Sequence, residues 1–482
     1  MRAIVIGSTK HILFALCYAL IGIIVAGLFG LVWVLNNRAD LDLWHKTELT
    51  HQYRGQKGIE TLDDYLALED KLFAEVDTKI YQRYSPTVAS AINRFETDSL
   101  ADPRQWQVNW NRTFVSRSES AQFGVLFIHG MSDSPYSMRH LAENFIDRAD
   151  VVSLRLPGHG TIPSALTDLH WQDMAKAVAL VTKDLKQQLN GKPLYVVGFS
   201  TGAALALNHE LEKIAKGKQG SYERMVFVSP AIGLPTIAAG AYWQARLGEL
   251  LGLEKLAWNS IKIEYDPFKY LSFAVNAADV VYGVAQRNLE LISQFNPEQQ
   301  QKIAPILTFQ SAVDATVSTS AILNNLYRYL PVGEHQIVMF DVNRNLVNRN
   351  LMTNEPLAEL ATLGLDINKN FDVTLVENIS VNSAQVQART VSHELKGDQF
   401  KTLNYIWPQD VFSLSHVALP FPANDPLYGV DVADDYPFIR IGQAIYSGER
   451  GLFSVPPSDM LRQKWNPFYP YVVERMQGFI EH

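Results

Sequence analysis

The chain has 482 residues, enough for one large domain with insertions or for two domains. It is 47% apolar and 19% charged, the balance of a globular protein with a membrane contribution. A net charge of −8 leaves no electrostatic footprint for nucleic acid, and the single cysteine excludes internal disulfides and cysteine-based metal sites.

Residues 12–35 read ILFALCYALIGIIVAGLFGLVWVL, without one charge. At about 1.5 Å per residue, such a helix spans a hydrocarbon core of roughly 30 Å. The run is too long for the core of a cleaved signal peptide, and no small-x-small cleavage site precedes Asn36-Asn37-Arg38, so a retained anchor is expected. Cys17 sits inside this run as a residue in lipid. Leu16 is bulky where a lipoprotein signal needs a small side chain. Arg2 and Lys10 precede the span, whereas Arg38 is offset by Asp40 and Asp42. That bias predicts a short cytoplasmic segment at 1–11 and the bulk of the chain outside; in a bacterium this is a single-pass inner-membrane protein with a periplasmic domain.

Residues 40–58 are polar and read as a stalk. Thr61 with Asp64 three residues on marks a helix start, and Leu62, Tyr65, Leu66, Leu72, Phe73, Val76 and Ile80 recur at helical spacing up to Tyr84. Stalk and helical extension thus occupy 36–115, ahead of a domain over 116–482. Trp106 and Trp110 precede a stretch, 113–120, that fits an antiparallel strand and turn. Apolar strand patterns follow at 123–128, 151–156, 194–197, 224–228, 304–310 and 336–340, with helices at 171–189 and 203–215. This alternation predicts an α/β fold with a mainly parallel sheet and helices on both faces. Groups that do chemistry should collect at the carboxyl ends of its strands.

Ser200 lies at such an end. Gly198-Phe199-Ser200-Thr201-Gly202 joins a strand directly to a helix, the context a nucleophile elbow requires. Glycines on either side let strand and helix approach closely. The new helix points free N–H groups at charge developing near the serine.

FIHGMSDSP, LRLPGHG, GFSTGA and TFQSAVDATVS together resemble the alpha/beta-hydrolase superfamily, and within it the branch of monoacylglycerol lipases, lysophospholipases and serine esterases. The resemblance covers 122–343. It implies a serine hydrolase working through an acyl-enzyme, with Ser200 as nucleophile and the backbone N–H groups of Met131 and Thr201 as oxyanion donors. His129 and His159 then shape their loops. The family places its acid in the loop after the strand at 304–310, which implies Asp314; Asp341, one strand later, is the alternative. It also commonly places a helical cap above the serine, here at 231–301, whose Tyr242, Trp243, Trp258, Tyr265, Phe268, Tyr270 and Phe273 suit an acyl-binding cleft.

The histidine departs from the family pattern. None follows Phe340 until His393, so 343–410 reads as a late β-rich insertion with strands at 371–376 and 384–391. His393 is followed by the charged run Glu394-Leu395-Lys396. His416 ends an apolar strand-like run and has apolar neighbours on both sides, which suits a packed base better. His335 precedes its strand. Asp425 is a loop brace or a surface acid. Asp431, Asp434 and Asp435 read as solvated charge rather than a calcium site, and a terminal helix is expected over 471–479. No cofactor or metal is expected. The partners expected are the membrane and a small-molecule or lipid ester; a short-chain carboxylesterase, a peptidase and a non-catalytic scaffold are the rival functions.

Overall fold

Ten strands build one sheet in the computed structural model, which describes residues 2–84, 92–233, 253–344, 355, 370–393, 397–433, 437–442 and 461–481. In chain order the elements are β1 (Phe114–Ser116), β2 (Phe123–Ile128), β3 (Ala149–Leu154), β4 (Leu194–Phe199), β5 (Met225–Val228), β6 (Trp258–Ser260), β7 (Phe273–Ala274), β8 (Ile306–Ser311), β9 (Gln336–Phe340), β10 (Asp372–Asn378), β11 (Gln385–Val391) and β12 (Gln399–Ile406). Their spatial order is β1-β3-β2-β4-β5-β8-β9-β10-β11-β12, with β6 and β7 paired in a separate ribbon. From β3 to β10 every pairing is parallel; β1, β11 and β12 run antiparallel at the two edges.

The sheet is buried on both faces because alternate side chains feed two cores. Leu126, Ile128, Leu194 and Val196 pack with the helices Trp171–Leu189, Thr201–Ala215 and Val275–Gln294. Val125, Phe127, Tyr195 and Val197 pack instead with Leu141, Phe145 and the terminal helix Tyr469–Glu481. Parallel strands aligned this way put the chain exits after β4, β5, β8 and β9 along one edge. Ser200 and Asp314 both follow such exits.

The third strand leaves the sheet two residues earlier than its apolar pattern suggests. Arg155 turns away to pair with Glu69 at 2.8 Å, and its carbonyl accepts the Tyr65 hydroxyl. Both partners belong to the helix Leu62–Val76, whose Thr61 and Asp64 form the expected capping box. A π-helical turn, Asp77–Tyr81, ends that element.

Residues 40–58 do not stand free as a polar stalk. Trp44, His45 and Tyr53 are buried. The Arg38 guanidinium donates to the carbonyls of Trp258 (2.7 Å) and Lys255 (3.1 Å), and His45 meets Ser272 Oγ at 2.9 Å. Upstream, Arg2–Asn36 is one helix; its segment Leu13–Leu35 is long and apolar enough to cross a membrane and is exposed along most of its length, with Leu35 at its end buried.

The late insertion supplies β10, parallel to β9, and then the antiparallel pair β11 and β12. The expected strand leading to His416 does not form. Val411 and Leu414 are buried but Phe412 is 65% exposed, and side chains hold the backbone: Ser311 Oγ donates to Leu414 O and Asn343 Nδ2 to Val411 O. His416 itself opens a short 3-10 turn, His416–Ala418. Tyr242, Trp243, Glu394, Leu395, Lys396, Asp434, Asp435 and 443–446 lie outside the described residues.

Candidate active site

Ser200 sits between β4 and the Thr201–Ala215 helix with φ 52° and ψ −115°, a region that costs a residue with a Cβ about 1–3 kcal/mol. Ser200 N donates to Val228 O, and Ser200 O accepts from Ala231 N, so both neighbouring segments hold the turn. Gly202 makes the turn possible: a Cβ there would collide with the carbonyl oxygens of Ile128 and His129. The serine is 8% exposed and faces a cavity of about 400 Å³.

The loop after β2 reaches the same cavity. A Cβ built on Gly130 would lie 3.2 Å from Ser200 Cβ, so the loop backbone runs in contact with the serine. Met131 lines the cavity beside Ser200 and Thr201. His129 braces this loop. Its Nε2 accepts from Leu156 N (3.0 Å) and its Nδ1–H donates to Gly130 O (2.8 Å), which fixes one tautomer. Burial, then the neighbouring His159, push its pKa well below the ordinary value and keep it neutral. His159 bonds Pro157 O at 2.9 Å, and burial lowers its pKa to about 4. Both histidines act on loops.

Asp314 and His416 meet across 102 residues of sequence: His416 Nδ1–H donates to Asp314 Oδ2 at 2.8 Å. The Asp314 side chain is fully buried and that of His416 is 6% exposed. Oδ1 of Asp314 accepts from Thr316 N (2.8 Å) and Val317 N (3.1 Å). Burial alone would raise this carboxyl, but the His416 charge and these hydrogen bonds outweigh it and hold the carboxylate below its usual range. With Nδ1 committed as donor, Nε2 of His416 is left to accept a proton. His416 and Ser200 line one cavity, and the His416 ring lies 5.2 Å from that of Phe199.

The alternatives fall elsewhere. Asp341 is tied to Arg344. His393 bonds Asp372 at 2.8 Å, and Asp372 is the first residue of β10, at the opposite strand end from Ser200. His335 accepts from Ile306 N, the first residue of β8, on that same far edge. A six-residue strand is roughly 20 Å long, beyond the reach of any imidazole. Asp425 is a brace: it is fully buried and bonds Tyr136, His140, Leu427 N and Tyr428 N.

Of the cap aromatics, Tyr265, Tyr270 and Phe273 line the cavity, while Trp258 packs on His45 and Phe268 on Tyr136. The helix Val275–Gln294 adds Ala278 and Val281 to the wall. Three features had no legible signal in the sequence. Lys269 pairs with Asp133. Tyr270 N donates to Ser132 O, while Tyr270 OH accepts from Thr161 N and donates to Gly158 O, so one residue clamps two loops. Ser311 ties the His416 loop to β8. Each joins segments too distant for any spacing rule. Among the described residues no group of His, Cys, Asp and Glu is arranged to hold a metal ion.

The model of the alpha/beta hydrolase family matches residues 125–320. A thermostable monoacylglycerol lipase from Bacillus sp. (strain H-257) is 33% identical over 135 residues, which make up 26% of this chain and 46% of the lipase. The chain thus spans about half the length of that curated relative. Among solved structures, one from a study of the metagenome-derived lipolytic enzymes LipS and LipT is 19% identical, with a TM-score of 0.37 over 53% of this chain and 98% of the other. The monoacylglycerol lipase of Paleococcus ferrophilus is 16% identical, with a TM-score of 0.35 over 48% and 88%. Over residues 125–320 the chain matches the alpha/beta hydrolase family, with homology that leans toward lipases and esterases.

Proposed function

We propose that this protein is a membrane-anchored serine hydrolase that cleaves carboxylic esters, acyl esters of lipids such as monoacylglycerol or lysophospholipid, through an acyl-enzyme. The observation that carries this reading is the 2.8 Å His416–Asp314 bond at the wall of a cavity that also holds Ser200. Ser200 Oγ attacks the ester carbonyl while His416 Nε2 takes its proton. Asp314 keeps the imidazole in the required tautomer and stabilises the imidazolium. The N–H groups of Met131 and Thr201 receive the oxyanion; in such sites one donor is worth roughly 10²–10³ in rate. His416 then protonates the leaving alcohol and later activates water against the acyl-enzyme.

The acyl part has an apolar wall in Leu271, Phe273, Val281 and Val317. Each methylene buried there contributes about 0.8 kcal/mol, so kcat/KM should climb with chain length. In this reading the catalytic unit is 116–482, with 231–301 and 343–410 as its insertions and 12–35 as the anchor. The test is a p-nitrophenyl ester series run on wild type and Ser200→Ala, followed by monoacylglycerol and lysophospholipid. Rising kcat/KM with chain length, lipid hydrolysis and a dead Ser200→Ala are expected. An optimum at acetate with neither lipid cleaved would move the protein to the short-chain esterases, and turnover surviving in Ser200→Ala would overturn the mechanism.

A further inference from the structure

The loop after β2 takes a shape that needs support from outside it. Asp133 N donates to Gly130 O at 3.3 Å, so residues 130–133 close a turn with Met131 and Ser132 at its corners. Ser132 has φ 64°, a left-handed corner that favours glycine. A serine persists at such a corner only where its surroundings hold it there.

The cap supplies the hold. Asp266 Oδ1 accepts from Phe268 N (2.9 Å) and Lys269 N (3.0 Å), which folds residues 266–269 into a turn of their own. Three consecutive cap residues then meet the loop. Phe268 stacks on Tyr136 with ring centroids 4.4 Å apart. Lys269 Nζ donates to Asp133 Oδ1. Tyr270 N donates to Ser132 O at 2.8 Å. The Lys269 and Asp133 side chains are only 25% and 10% exposed, so water screens their pairing little. The other carboxylate oxygen, Oδ2, lies 2.8 Å from where a Cβ on Gly130 would stand, and that same Cβ would lie 3.2 Å from Ser200 Cβ. The cap therefore bears through Asp133 on the stretch of backbone that touches the serine.

We infer that Lys269 is a positioning residue for catalysis: through Asp133 it holds the loop so that the Met131 N–H points at the developing oxyanion. This inference rests on the esterase reading and deepens it, because a cap residue becomes part of the apparatus that stabilises the transition state. Lys269 acts through the loop and not on the substrate. Its effect is felt when the carbonyl oxygen gains charge, since that is when an oxyanion donor counts. Displacing such a donor by about 1 Å costs on the order of 10² in rate.

The experiment uses the purified full chain and a p-nitrophenyl ester, with kcat read per site titrated by a fluorophosphonate, so that misfolded protein does not count. Lys269→Met should lower kcat by about 10- to 100-fold and leave KM within about twofold of wild type. Asp133→Asn should lower kcat to a similar degree, and the double variant should be no worse than either alone, because both remove one contact. Lys269→Arg, which can still reach Asp133, should recover most of kcat. A long-chain trifluoromethyl ketone separates positioning from general damage. Ser200 Oγ bonds its carbonyl carbon, His416 takes the serine proton, and the ketone oxygen becomes the oxyanion. Lys269→Met should weaken this inhibitor by the factor by which kcat/KM falls, while an alkyl ether of the same chain, which cannot be attacked, should bind as in wild type. Unchanged kcat in Lys269→Met, equal weakening of ketone and ether, or losses that multiply in the double variant would overturn the inference and leave the esterase reading standing. A wild type that cleaves no ester and takes no ketone would defeat both.

Discussion

The strained backbone of Ser200 is tolerated because its neighbours leave no other course. Val228 O and Ala231 N grip it from one side, and Gly202 lets the helix start against the Ile128 and His129 carbonyls from the other. Gly202→Ala should therefore cost about 2 kcal/mol or more through overpacking at backbone atoms that cannot yield, and a lowered melting temperature checks it. An unchanged melting temperature would mean the helix start is looser than drawn. Asp314 offers a sharper test. Asp314→Asn puts an amide where a carboxylate accepts the Nδ1 proton, which favours the wrong imidazole tautomer, and kcat should fall by about 10³–10⁴. Asp341→Asn disturbs Arg344 and should leave kcat of the folded protein near wild type. The reverse ranking would hand the acid role to Asp341. The elbow was legible in the sequence because five consecutive residues carry it. The acid and histidine were narrowed only by resemblance and neighbour polarity, since 102 residues separate them.

Elements were legible in proportion to their burial. Strands with both faces covered read as apolar runs, so β2 and β4 stood out. β12 did not: in Gln399–Ile406 only Leu403 is buried, while Phe400 and Ile406 are 61% and 64% exposed, so the alternation that marks a half-buried strand is absent. The run before His416 failed in the opposite direction. It is apolar enough for a strand, but its buried residues Val411 and Leu414 are three apart and side chains bond its backbone. The Thr201–Ala215 helix holds a further test in Glu210. It is fully buried; burial raises its carboxyl to about 7 from an ordinary 4.5, against hydrogen bonds from Ser221 N and Tyr222 N. Between about 4.5 and 7 the folded chain keeps a proton that the unfolded chain gives up. Stability from this group is therefore present at low pH and lost as pH rises through that window, by at most about 3 kcal/mol. Glu210→Gln mimics the protonated acid, so its melting-temperature gain over wild type should be larger at pH 8 than at pH 5. An equal difference at both pH values would contradict the buried-acid account.

At the scale of the whole molecule, the amino-terminal extension packs against the sheet-bearing part of the chain through buried polar contacts. Glu69 and Arg155 are each 2% exposed and paired, and Glu69 also accepts from Thr113 N and Oγ1. Glu69→Ala leaves a buried guanidinium without its partner and should cost about 3–5 kcal/mol, read as a lower denaturation midpoint. A midpoint within error of wild type would mean the extension is dispensable. The polar composition of 40–58 concealed this integration, because Trp44 and Tyr53 bury themselves among polar neighbours. Arg38 then bonds the cap strand at Trp258, two residues before Ser260 enters the cavity wall, so the candidate anchor is fastened close to the site it would serve. The charges flanking the span predict that protease added to intact spheroplasts digests the large domain; protection until the membrane is lysed would reverse the orientation. The central claim, that Ser200 is a nucleophile activated through His416 and Asp314, is tested most directly by reacting the purified full chain with a fluorophosphonate and locating the adduct by peptide mass. A single adduct on Ser200 is predicted, absent in Ser200→Ala and formed far more slowly in His416→Ala. A folded protein that takes no adduct, or takes it on another residue, would contradict the account.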